Sequence, residues 1–179
     1  MLALVLWTTL SLAQEPPLEP VPEAPPEPPP LSFCDAAREL VAASRDGFFR
    51  VRGEPSTAYI SWYKTTVSLP GTVDQTCKVL RGADGPFVTC DMGPVSDRAA
   101  AETLWQSTKT TMLGCGIEWP TDETPENSRK ERHFRWKKEA NLGPSVEIHL
   151  KNRGNDQFQV QVWFKAIDPE GDHGSLKPR

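Results

Sequence analysis

The clearest pattern in the chain is a strict alternation near its C-terminal end. Val146, Ile148 and Leu150 alternate with Glu147, His149 and Lys151; beyond Asn152-Arg-Gly-Asn-Asp156, Phe158, Val160, Val162 and Phe164 alternate with Gln157, Gln159, Gln161 and Trp163. A period of two predicts two antiparallel strands with one face buried and the other solvated. His133 to Ala140 reads as a strand before them, with Phe134 and Trp136 on one face, turned by Asn141-Leu-Gly-Pro144.

A second set of strands precedes these. Gly82, Asp84 and Gly85 sit between Cys77-Lys-Val-Leu-Arg81 and Pro86-Phe-Val-Thr-Cys90, which predicts a hairpin running to Met92 with Cys77 opposite Cys90 and Val79 opposite Val88. Ala58 to Leu69, rich in Tyr, Ile, Trp, Thr and Val and closed by Pro70-Gly71, predicts a long strand ahead of it. Phe48 to Arg52 fits either a last irregular turn or a short strand.

Two stripes have helical spacing instead. Ser32-Phe-Cys-Asp35 has the form of a capping box, and Cys34, Ala37, Leu40, Val41, Ser44 and Phe48 follow on one face, with Gly47 as the stop after about Asp46. Past Gly93-Pro94, Ser96 or Asp97 can cap a helix carrying Ala101, Leu104, Trp105, Thr108, Met112 and Cys115 on one side, ended by Gly114 and Gly116. Leu104, Trp105 and Met112 at this spacing are core residues, and Trp119 packs under the following loop. Glu118 to Arg132, polar and interrupted by Pro120 and Pro125, reads as a long mobile loop.

The expected fold is therefore α+β: helix-βββ-helix-βββ, with one antiparallel sheet, both helices on its apolar face and two disulfides. No sequence repeat relates the two halves.

Composition adds the flanks. Residues 1–13 are apolar apart from hydroxyls and end in Ser11-Leu12-Ala13, a signal-peptide pattern; it lacks a positive n-region, which is expected to lie upstream of Met1. The run is too short for a membrane-spanning helix, which needs about 20 residues. Residues 14–31 hold nine prolines, with Glu15, Glu19, Glu23 and Glu27 at every fourth position. That is an extended Pro/Glu linker of roughly 50 Å. Residues 32–167 form a single domain and 168–179 a frayed tail. Four of the 24 acidic residues lie before Ser32, leaving 20 against the 20 basic ones, so the domain is neutral overall and a nucleic-acid partner is disfavoured.

Four cysteines in a chain with an export pattern, without C-x-x-C and without interleaved histidines, point to disulfides rather than to a metal site or redox motif. The hairpin pairs Cys77 with Cys90. That leaves Cys34, at the start of one helix, for Cys115, at the end of the other.

No nucleophile elbow, zincin motif or phosphate-binding glycine loop occurs among the residues, and no catalytic residues, metal ligands or cofactor are assigned. The candidate site is instead the solvated sheet face, with Arg135, Lys137, His149, Lys151, Trp163 and Lys165 as a basic surface around an exposed indole, able to meet an acidic protein or a glycan. Tyr59, Trp62 and Tyr63 would extend it if they adjoin Trp163. The expectation is a secreted or periplasmic, non-catalytic interaction domain without stable membrane insertion; a small secreted hydrolase or a structural envelope component are the competing classes.

Overall fold

The computed structural model describes residues 29–56, 62–73, 77–82, 85–124, 127, 131–137 and 144–166. The signal-peptide stretch, most of the linker, Tyr59 and the C-terminal tail lie outside the described residues.

Helix α1 (Phe33–Ala43) starts where the capping pattern puts it. Ser32 Oγ accepts from the Asp35 amide at 3.2 Å. A 3-10 turn carries the helix to Asp46, and Gly47 stops it at φ +66°. Phe48 also adopts positive φ and is fully buried. A second 3-10 turn over Phe49–Val51 then leads into β1 (Arg52–Pro55).

Of the long strand predicted over Ala58–Leu69, residues 58–61 lie outside the described residues; among the rest, β2 (Tyr63–Thr65) is ladder and Thr66–Leu69 is not. Side chains take over from backbone pairing beyond it. Thr65 Oγ1 donates to the Cys77 carbonyl at 3.0 Å, and Ser68 Oγ accepts from the Cys77 amide at 2.9 Å. β3 (Lys78–Gly82) and β4 (Gly85–Val95) form the expected hairpin, with Val79 opposite Val88 and Gly82 opposite Gly85. β4 runs on through Gly93-Pro94, which the sequence suggested as a break. A bulge between Asp91 and Pro94, with Gly93 at φ +126°, absorbs the proline, and β3 no longer pairs there, so the missing amide goes unused on that side.

Helix α2 (Arg98–Leu113) is capped by Asp97, whose carboxylate accepts from the Ala100 amide at 2.7 Å. Part of the expected loop over Glu118–Arg132 is instead β5 (Thr121–Thr124), an exposed four-residue edge strand paired with β6 (Arg132–Lys137). Its polar sequence has no alternation to reveal it, because neither face of this strand is buried. β7 (Ser145–Gly154) and β8 (Gln157–Lys165) close through Asn155-Asp156, both at positive φ, as a two-residue hairpin with primed-turn geometry requires.

The order is thus helix-ββββ-helix-ββββ rather than helix-βββ-helix-βββ. The eight strands among the described residues form one antiparallel sheet, β1-β2-β3-β4-β8-β7-β6-β5. Each half is a helix followed by a four-strand meander, and the two meanders join through their last strands, β4 and β8.

One apolar cluster holds the molecule together. Val79, Val88, Phe164, Val146 and Trp136 line one rung across five strands, and Cys90, Val162, Ile148 and Phe134 the next. Ala36, Ala37 and Leu40 of α1 and Ala101, Trp105 and Met112 of α2 belong to the same cluster. Trp105 is fully buried and its indole N–H donates to the Ile148 carbonyl at 3.4 Å. Trp119 packs partly buried against the cluster. Disulfides join Cys34 to Cys115 and Cys77 to Cys90, the first linking the start of α1 to the residues just past α2. All four thiols are consumed.

Candidate functional site

The site lies on the sheet face opposite the helices and is built from strand register. In an antiparallel ladder, directly opposed residues point to the same side. Lys78, Thr89, Trp163, Glu147, Arg135 and Asp122 therefore share one rung across six strands. Asp91, Gln161, His149 and His133 share the next, and Phe87, Lys165, Ser145 and Lys137 the one on the other side. All six residues expected on this face, Arg135, Lys137, His149, Lys151, Trp163 and Lys165, fall within these rungs or beside them.

The face is less solvated than alternation implied. Glu147 is 2 % exposed, and Ser145 and Gln161 are buried as well. Among the described residues, long side chains of the neighbouring strands, Arg135, His133, His149 and Lys165, close over Glu147.

Glu147 is the hub. Its Oε1 meets Lys165 Nζ at 3.1 Å and Arg135 Nε at 3.1 Å, and Ser145 Oγ donates to the same oxygen at 3.2 Å. Its Oε2 lies 3.0 Å from His149 Nε2 and 3.3 Å from His133 Nε2. The His149 contact is a hydrogen bond. The His133 nitrogen is buried, poorly aligned and makes no hydrogen bond among the described residues, as is also true of Arg135 Nε. Burial pushes the Glu147 carboxyl upward, but the imidazoles of His133 and His149 and the Lys165 ammonium more than reverse this and hold it far below the usual carboxylate range. His149 is lowered from its ordinary value, chiefly by burial and with help from His133, against the pull of Glu147.

Aromatic rings pack beside the hub. His133 and His149 stack with centroids 4.4 Å apart and planes 13° apart, and Trp163 lies 4.4 Å from His149 and 5.0 Å from Phe87. Lys151 Nζ sits 4.0 Å from the indole centroid and Lys165 Nζ 5.5 Å. Trp163 is therefore half-buried rather than the free indole anticipated. Its N–H donates to Gln161 Oε1 at 3.3 Å, and Gln161 and Gln159 both donate to Asp91 Oδ1, at 2.5 and 3.0 Å. Each amide in this chain has its orientation set by a neighbour.

Trp62 and Tyr63 do not extend an aromatic platform around Trp163. Trp62 is capped by Lys78 at 5.7 Å, and Tyr63, opposite Val79, takes the Arg52 guanidinium at 4.5 Å.

Known protein families, curated proteins and solved structures offer no match to this chain. Any functional reading rests on the residues themselves. Glu147 and His133 were not among the residues first singled out, although the sequence held a signal for the first. The period of two puts Glu147 and His149 on one face of β7, whereas the pairing of His133 with His149 comes from the register of β6 and β7.

The two disulfides fit an oxidising compartment. No helix among the described residues is long and apolar enough to cross a membrane.

Proposed function

We propose that this chain is an exported, non-catalytic interaction domain that binds a protein or glycan through the helix-free face of its sheet, and that of the two an acidic protein segment fits better. The observation that carries the reading is the concentration of cations on that face. In and beside the rungs around Trp163, Lys78, Arg135, Lys137, Lys151 and Lys165 outnumber Asp91, Asp122 and Glu147. A sugar would need an open indole face on which to stack, and Lys151, His149 and Phe87 already pack against this ring. An extended acidic segment needs only cations at strand spacing over a partly apolar floor.

A hydrolase is less well supported. Ser145 Oγ is hydrogen-bonded to the Glu147 carboxylate, not to an imidazole, so the cluster lacks the hydroxyl-to-base contact that activates a serine.

Biolayer interferometry with acidic and neutral peptides, beside a glycan array, tests the proposal. Binding to acidic peptides should weaken with salt, as exposed charge pairs are screened over roughly 10 Å at 0.1 M. It should be lost in Lys151→Glu/Lys165→Glu and reduced in Trp163→Ala. Equal binding by wild type and the charge-reversed variant, or glycan binding independent of both, would defeat it.

A further inference from the structure

We infer that His133, Glu147 and His149 form a binding site for one divalent transition-metal ion of borderline softness, with Zn²⁺ or Co²⁺ as the fitting class. The inference goes beyond the proposed partner-binding role and stands without it.

Three potential donors converge: His133 Nε2, His149 Nε2 and Glu147 Oε2 all lie within 4.8 Å of one another. Donors about 2.1 Å from a single ion are separated by roughly 3.0 Å at an octahedral angle and 3.4 Å at a tetrahedral one. The two nitrogen-to-oxygen distances, 3.0 and 3.3 Å, already match. Two imidazoles and one carboxylate suit Zn²⁺ and its neighbours, whereas Ca²⁺ and Mg²⁺ prefer oxygen donors throughout.

The arrangement is also rigidly based. Glu147 and His149 are two apart on β7, and His133 is the direct cross-strand partner of His149 on β6. All three side chains therefore leave the same face of two paired interior strands. The second carboxylate oxygen is held by Ser145, Arg135 and Lys165, which orients Glu147 as outer partners orient metal-bound carboxylates elsewhere.

One donor is less well satisfied. Both imidazoles approach Oε2, yet only His149 is hydrogen-bonded to it, and the buried His133 nitrogen, 3.3 Å away, makes no well-aligned hydrogen bond among the described residues. An ion placed among the three would satisfy both nitrogens at once. Beside the histidines is a hollow of about 180 Å³, lined also by Thr124, Asn127, Glu131 and Lys151, through which an ion can enter and in which a water ligand has room.

Two features limit affinity and make the site testable. The rings stack nearly parallel, so their in-plane lone pairs run side by side, and ion binding requires one imidazole to turn about χ2. Arg135 and Lys165 place two cations next to the carboxylate and oppose the ion's charge. Binding should accordingly be micromolar rather than nanomolar, and Lys165→Met should tighten it.

The experiment is titration of the full, oxidised chain with Co²⁺, read by visible absorption, followed by displacement with Zn²⁺ in a calorimeter. With every cysteine in a disulfide, thiolate bands cannot contribute. One equivalent should bind, and His133→Asn and His149→Asn should each weaken it at least about tenfold. Glu147→Gln risks unfolding, so His133→Asn, which leaves the carboxylate's bonds to His149, Ser145 and Lys165 intact, is the deciding variant; circular dichroism checks its fold. Absence of binding below about 100 μM, or binding unchanged in folded His133→Asn, would overturn the inference.

Discussion

Replacing Glu147 by Gln should destabilise the domain by about 2–3 kcal/mol at pH 7. The substitution keeps side-chain volume, so it opens no cavity, and what it removes is charge. Breaking a buried ion pair by deleting one partner typically costs about 3–5 kcal/mol, because the surviving charge is left buried without compensation. The survivors here are not fully buried: Arg135 and Lys165 side chains keep 33 % and 31 % of their exposure, against 3 % for Glu147, so water recovers part of the loss. The charge-assisted bond from His149 also becomes a neutral one. Urea denaturation followed by tryptophan fluorescence, with disulfides intact, measures the difference, and a thermal scan should show a fall of roughly 6–12 °C. The pH dependence supplies a second reading. Because the folded carboxyl is held far below its usual value, its stabilisation is fully present above the unfolded value of about 4.3 and is lost only as pH falls below that, toward the folded value. A change within about 0.5 kcal/mol of zero at pH 7 would refute the account of Glu147 as a desolvated hub, since that is what an ordinary surface residue gives.

Three further outcomes are expected. Cys34→Ala/Cys115→Ala should cost about 4.5 kcal/mol and Cys77→Ala/Cys90→Ala about 3 kcal/mol, from the entropy of loops spanning 81 and 13 residues; denaturant midpoints of the two variants check the order. His149 takes up its proton at lower pH when folded than when unfolded, so stability should decline as pH falls from about 7 through 6.5 and level off below the folded value. Denaturation of His149→Gln across pH 5–8 should show a flatter slope. Trp105→Ala should cost about 3–5 kcal/mol, measured the same way, because a fully buried indole is lost from the contact between α2 and the sheet.

Much of this fold is legible in the sequence wherever burial imposes a period. Val146 to Leu150 and Phe158 to Phe164 alternate because one side faces α2, and the stripes around Leu40 and Trp105 recur at three and four because one side of each helix faces the core. The hairpin arithmetic that put Cys77 opposite Cys90 needed only a turn and a count. β1 and β5 escaped notice for the converse reason. Arg52–Pro55 and Thr121–Thr124 are edge strands with no fully buried residue, and backbone pairing alone leaves no mark on residue type. The candidate site was half legible. Its cations and Trp163 were placed by alternation, whereas the burial of Glu147 depends on how His133, Arg135, His149 and Lys165 lean inward, which no one-dimensional pattern records.

The seam between β4 and β8 gives the chain an order of events. Synthesis delivers β4 long before β8, whose Gln161 lies 70 residues beyond Asp91, its partner across the seam. Until then the first meander carries an open edge, and Cys34, Cys77 and Cys90 are all present before Cys115 appears. Closing the tight hairpin early withdraws two of those three thiols from the wrong pairing and leaves Cys34 waiting for its distant mate. If the short bridge closes first, it protects the long one during biogenesis, a service invisible once both are formed. Slow, late zippering of a long-range pair is also what limits the folding rate of such topologies, so a catalyst of disulfide exchange should matter most in the interval between the two halves.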